Sequence, residues 1–169
     1  MRCSAIFVVT LALAACVPAA RPAPEPVRAV PVVALPPPPA ADWRDRPANA
    51  GDWAYRRDAR GSIALFGNAG ADATVTLRCD IAARRVYLSR AGVQSAALSI
   101  RTSTASRTLA VQPTGGQPAY VAAAFAPNDA LLDAIAFSRG RFVVEQPGAP
   151  TLVIPAWPEI GRVIEDCRG

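Results

Sequence analysis

The chain has 169 residues, 51% of them hydrophobic, and a formal net charge of +5. That length allows one domain with a real core, and the charge is too small to argue for a nucleic-acid partner, which asks for dense basic patches. All 18 basic residues are arginine and histidine is absent, which excludes Ser-His-Asp, Cys-His and Ser-Lys nucleophile systems and lysine Schiff bases.

At the N-terminus, Met1 and Arg2 precede an apolar run from Ala5 to Leu13. A basic start, a short apolar stretch and a small-residue cleavage site form the layout of a secretory signal over residues 1–15. The run is well short of the roughly 20 residues a spanning helix needs. Leu13-Ala14-Ala15-Cys16 resembles the lipobox of bacterial lipoproteins, in which the cysteine is lipid-modified and becomes the first mature residue. The resemblance implies a protein held to a membrane by lipid on Cys16. Val17, rather than Asp, follows that cysteine, which by the same resemblance implies the outer membrane, with the domain facing the periplasm. An ordinary signal peptide that happens to carry a cysteine is the plainer alternative.

Residues 16–48 read as a tether. Ten of the seventeen prolines fall between Pro18 and Pro47, including Pro36 to Pro39. Proline fixes φ and removes backbone donors, so an extended, partly polyproline II spacer is expected. A docking ligand for a proline-binding module is the rival reading.

Residues 49–169 carry strand patterns. Trp53-Ala54-Tyr55 and Ser62 to Phe66 come first, separated by charge and Gly61. Thr74 to Cys79 alternates with a period of two, which aims Cys79 inward and Arg78 outward. Arg85 to Ser89 repeats the alternation, and the short turn between makes a hairpin. A second hairpin is expected from Ala97–Arg101 and Thr108–Val111, with Thr102 to Arg107 as its loop. Tyr120 to Phe125 is a further strand. Asn128 to Phe137 looks helical, with Asn128 as N-cap, Asp129 at the positive end of the dipole and Gly140 as the stop. Arg141–Glu145 and Thr151–Ile154 form a last hairpin through Pro147-Gly148. Pro158 to Asp166 suits a short helix, with Cys167 directly after it. The expected fold is mainly β, an antiparallel sandwich or barrel-like sheet with one or two short helices near the C-terminus; α+β is the second choice.

Cysteine bookkeeping follows from the export reading. Cys3 leaves with the signal and Cys16 carries lipid, so Cys79 and Cys167 remain as an even pair in an oxidising compartment. A disulfide is the economical expectation. Free thiols or a metal site are the alternatives, but two cysteines without histidine make a poor zinc set, and no metal or cofactor is expected.

The Leu-Arg-Cys strand at 77–79, with the ending of helix, Phe-Val-Val-Glu strand, Leu-Val-Ile strand and helix with Cys167, resembles the invasion-associated locus B group and small envelope proteins linked to type VI secretion. That resemblance implies a β-rich exported domain without established enzyme activity. The lipobox and proline tether are not features of those groups.

For chemistry, the residues offer carboxylates, aromatics and arginines. Asp129 and Asp133 lie a helical turn apart, and Glu159, Glu165 and Asp166 lie on the last helix. A carboxylate hydrolase would need two of them facing one cleft. Trp43, Trp53, Tyr55, Tyr87, Tyr120 and Trp157 could stack on sugars. Arg78 and Arg101 are candidate contacts for anionic ligands, because a guanidinium grips carboxylate or phosphate bidentately. Arg56, Arg57, Arg84, Arg85 and Arg90 are also expected to be exposed. The expected function is a non-enzymatic envelope lipoprotein whose tethered domain binds or supports a cell-envelope component or assembly, with an envelope protein or peptidoglycan as the expected partner. The alternatives are a cell-wall hydrolase using carboxylates and a periplasmic inhibitor of a hydrolase.

Overall fold

A computed structural model describes residues 42–169; the expected signal segment, Cys16 and the expected tether as far as residue 41 lie outside the described residues. The described chain is mainly β. Its elements are a 3-10 turn at Trp43–Asp45, strands β1 (Asp52–Asp58), β2 (Gly61–Gly67), β3 (Val75–Asp80), β4 (Arg85–Ala91), β5 (Leu98–Arg101), β6 (Ser106–Leu109), β7 (Gln112–Pro113) and β8 (Tyr120–Phe125), helix α1 (Ala130–Ala136), strands β9 (Arg141–Glu145) and β10 (Leu152–Pro155), and helix α2 (Pro158–Arg168).

All strand pairs are antiparallel. One sheet has six strands in the order β1-β2-β3-β4-β8-β7, the other four in the order β10-β9-β5-β6. The inward rows follow from the alternation: Val75, Leu77 and Cys79 on β3, Val86 and Leu88 on β4, and Val121, Ala123 and Phe125 on β8. Leu98, Ile100, Phe142, Val144, Leu152 and Ile154 of the second sheet join them in one core, as in a sandwich. Helix α2 packs on β1 to β4 of the six-stranded sheet and buries Ile160, Val163 and Ile164. Those three residues sit at the i, i+3, i+4 spacing of an amphipathic helix.

Polar ties cross between elements. The Trp53 indole donates to the Pro155 carbonyl at 2.9 Å, joining β1 to β10. Asn49 donates its N–H to Val153 O at 2.8 Å, and its side-chain oxygen accepts from Val153 N at 2.6 Å. Arg90, expected on the surface, is 3% exposed. It sits on the inward row of β4 and donates to the carbonyls of Val144 and Pro150. The period of two put it there: Val86, Leu88 and Arg90 share a face.

Several boundaries differ from the sequence reading for local reasons. Trp43, expected in the tether, is buried against the outward Val143 and Val153 of the four-stranded sheet. The ordered domain therefore reaches upstream of residue 49. The β5–β6 loop is shorter than expected, because Thr102 Oγ1 accepts from the N–H groups of Thr104 and Ala105 and closes the turn early. Asp129, not Asn128, caps α1, its carboxylate accepting from Leu131 N at 2.9 Å. That helix ends at Ala136, and the buried Ser138 hydroxyl donates to Arg141 O, turning the chain into β9 ahead of Gly140. Helix α2 continues to Arg168, so Cys167 lies in its last turn rather than after it. There it is bonded to Cys79 of β3.

Gly61 opens β2 at φ +140°, and a Cβ there would stand 2.6 Å from the Cys79 carbonyl oxygen. Only glycine combines that backbone with that approach.

Candidate functional site: a groove on the six-stranded sheet

The outward face of the six-stranded sheet is a groove of about 600 Å³. Strand register builds its floor in two rows. Ile63, Arg78, Tyr87 and Ala124 stand side by side across β2, β3, β4 and β8. Leu65, Thr76, Ser89 and Ala122 form the next row, and Gln112 of β7 extends it. Ser89, Ala122 and Ala124 are the small side chains of β4 and β8 beside Tyr87, and the Ala110–Thr114 segment forms a wall next to them. Tyr120 and Arg60 also line the groove.

The two arginine candidates fall on different sheets. Arg78 lies on β3 in this groove. Arg101 lies on β5 of the other sheet, in a second depression of about 680 Å³ together with Trp43 and the Thr102–Ser106 turn. Arg101 pairs there with Glu145 at 3.3 Å.

Arg78 is held in a two-pronged ion pair, Nη1 donating to Asp58 Oδ1 at 3.0 Å and Nη2 to Oδ2 at 2.8 Å. Arg60 grips Asp80 differently, Nε and Nη2 both donating to Oδ2, at 3.1 and 2.6 Å. Two prongs leave further N–H groups of each guanidinium for a ligand. The Arg78 guanidinium, with help from the Arg60 N–H, lowers the Asp58 pKa from 3.8 to about 2. The Ala83 N–H and then Arg60 hold the Asp80 carboxyl below its usual range. Because the folded pKa of Asp58 lies below its ordinary value, this pair's contribution is complete above the ordinary carboxylate range and fades as pH falls toward 2. In an NMR titration the Asp58 carboxyl should give a midpoint near 2, and Arg78→Gln should move it up toward the ordinary 3.8. An unmoved midpoint would break the assignment of this pair.

Of the five carboxylates considered for acid/base work, Asp129, Asp133 and Asp166 are bound by different partners, while Glu159 and Glu165 of α2 form no ion pair among the described residues and Glu159 Oε2 is buried without a hydrogen-bond partner. Asp129 caps α1 and accepts from Arg107 at 2.7 and 2.8 Å. Asp133 pairs with Arg168 at 2.8 Å. Burial alone would raise the Asp166 pKa, but the Tyr55 hydroxyl, at 2.6 Å, and Arg57 outweigh it and hold the group low. A general acid needs the opposite shift. Among the described residues, no three His, Cys, Asp or Glu side chains are grouped to hold a metal, and no helix is long and apolar enough to cross a membrane.

Of the aromatics, Trp43 and Trp53 are buried, and Tyr55 is half-buried beneath Arg162, whose guanidinium lies 4.0 Å from the ring centre. Tyr87 and Tyr120 share the groove with Arg78, and Trp157 is exposed elsewhere. Arg60, Ile63, Leu65 and the β7 wall are groove residues the sequence reading missed. The signal for two of them was present: Ile63 to Phe66 is apolar without alternation, the mark of a strand covered on both faces.

The chain matches no protein-family model, no curated protein and no solved structure. What the groove can do therefore rests on its own geometry: a floor in which Ile63, Leu65, Ala122 and Ala124 are apolar and Thr76 and Ser89 polar, two phenols and two arginines with donors to spare.

Proposed function

We propose that this chain is a non-enzymatic, lipid-anchored envelope protein, sorted to the outer membrane and facing the periplasm, whose β domain works by binding. The anchor is Cys16. The binding site is the groove on the six-stranded sheet, and its ligand is a carboxylate-bearing envelope component such as the stem peptide of peptidoglycan. The observation that carries this reading is the pairing of apolar floor residues with Arg78. Ile63 and Leu65 receive apolar atoms, while the free N–H groups of Arg78 and Arg60 receive a carboxylate. No cofactor enters this reading. The cell-wall hydrolase alternative has less support, because Asp129, Asp133 and Asp166 are bound to separate arginines and Asp166 is held in the ionised form.

The test is titration of the full chain with a soluble peptidoglycan fragment that carries free stem carboxylates. Ala124→Trp should fill the exposed end of the floor, and Arg78→Gln should remove the charged donor. Each should weaken binding by roughly tenfold or more, the scale of a lost charge-assisted hydrogen bond. Added salt should weaken binding of the wild type more than that of Arg78→Gln. Binding that ignores both substitutions would sink the groove as the site.

A further inference from the structure

Two large apolar side chains stand exposed where the helices meet the four-stranded sheet. Phe137, 80% exposed, follows the last residue of α1, and Trp157, 40% exposed, precedes the first residue of α2. Both are held on fixed turns. Ala156 N donates to Gly140 O at 3.2 Å, joining the turn after α1 to the turn before α2. The Ser138 hydroxyl donates to Arg141 O and accepts from Ser103 N at 3.0 Å. These turns lie at one end of the β9–β10 hairpin, where Arg141 faces Pro155.

The same end carries an excess of positive charge, since among the described residues its three arginines without ion pairs stand against two such carboxylates, Asp45 and Glu159. Among the described residues, Arg46, Arg139 and Arg141 form no ion pair with a carboxylate. Arg141 instead donates to the Arg46 carbonyl. That contact also fixes where the chain enters: residues 43–46 lie against this sheet, with Trp43 on Val143 and Val153. Only residues 17–42 separate this point from Cys16.

We propose that this end of the domain docks on an anionic lipid surface, with Phe137 and Trp157 entering the interface and Arg46 and Arg139 meeting the headgroups. The proposal rests on the lipid-anchor reading for its orientation, since lipid on Cys16 would bring this end toward the bilayer. Aromatic rings favour the membrane–water interface, and arginines beside them add attraction to anionic headgroups. Neither contribution need be strong, because a tether converts docking into an intramolecular step.

Trp43 and Trp53 are buried, so a quencher placed in lipid reads Trp157. The full chain, as wild type and as Cys16→Ser, is mixed with vesicles of brominated phosphatidylglycerol and phosphatidylcholine in equal parts. Docking predicts loss of most of the Trp157 emission. Trp157→Phe should abolish the quenchable signal. Phe137→Ser should reduce quenching severalfold, and so should Arg46→Gln with Arg139→Gln; vesicles of brominated phosphatidylcholine alone should do the same. Labelled palmitate reports the anchor separately, entering the wild type but not Cys16→Ser. Labelled protein whose Trp157 is not quenched overturns docking and leaves the anchor standing. Unlabelled protein whose Trp157 is quenched overturns the anchor and supports docking. Protection of Trp157 by an envelope protein, with no quenching by lipid, overturns the proposal in favour of a protein interface.

Discussion

Replacing Cys79 and Cys167 together by alanine is expected to cost the domain about 2–5 kcal/mol, the range seen when a native disulfide is removed from a small domain. The bridge spans 88 residues. For a loop of that size the chain-entropy treatment gives about 4–5 kcal/mol, most of it from restricting the unfolded chain. A domain of this size loses a few degrees of Tm per kcal/mol, so the melting temperature should fall by roughly 10–15 °C. Wild-type protein held in reductant should melt with the double variant. Amide exchange should rise first in α2, whose last turn the bridge fastens to β3. A double variant that melts within about 1 °C of the oxidised wild type would show that packing alone holds α2 in place.

Trp53→Ala should be nearly as costly, at about 3–5 kcal/mol. The indole is buried, its ring centre lies 5.4 Å from that of Phe66, and its N–H reaches across to Pro155 O. Truncation removes the packing and leaves a carbonyl unpaired between the sheets. Trp53→Phe keeps most of the ring and should cost about 1–2 kcal/mol for the orphaned acceptor and the smaller ring. Denaturant unfolding separates the two. Equal losses would assign the whole effect to the hydrogen bond.

Much of this fold was legible because alternation is a local signal. Thr74 to Cys79 and Arg85 to Ser89 revealed both the strands and the faces, and the inward aim of Cys79 follows from the same period. The helix ends were less legible. Asn128 and Asp129 are both good caps, and only the carboxylate's contact with Leu131 N decides between them. Arg90 was misplaced because charge was weighed above periodicity, although Val86 and Leu88 point the same way. The groove was half visible. Arg78 and Tyr87 fall on outward positions of adjacent strands. The β7 wall has no strand pattern of its own, because two residues carry no period. That Arg78 and Arg101 belong to different sheets depends on which strands pair over long sequence distances, as when β5 joins β9 rather than β4.

The Cys79–Cys167 bridge also sets how the domain can bear load. Pulled between its N-terminal segment and its C-terminus, the chain would first peel Trp43 from Val143 and Val153, then break the Asn49 clamp on Val153. Next in line is β1, an edge strand whose backbone ladder pairs only with β2 and whose Trp53 indole holds Pro155. Extension then halts at Cys79, since the force passes through the sulfur bridge directly into the last turn of α2. Residues 80–166, enclosed by the bridge, lie off the line of tension. Strand β4, strand β8 and the wall of the groove are among them, so one side of the proposed binding surface would stay slack while the first two strands stretch.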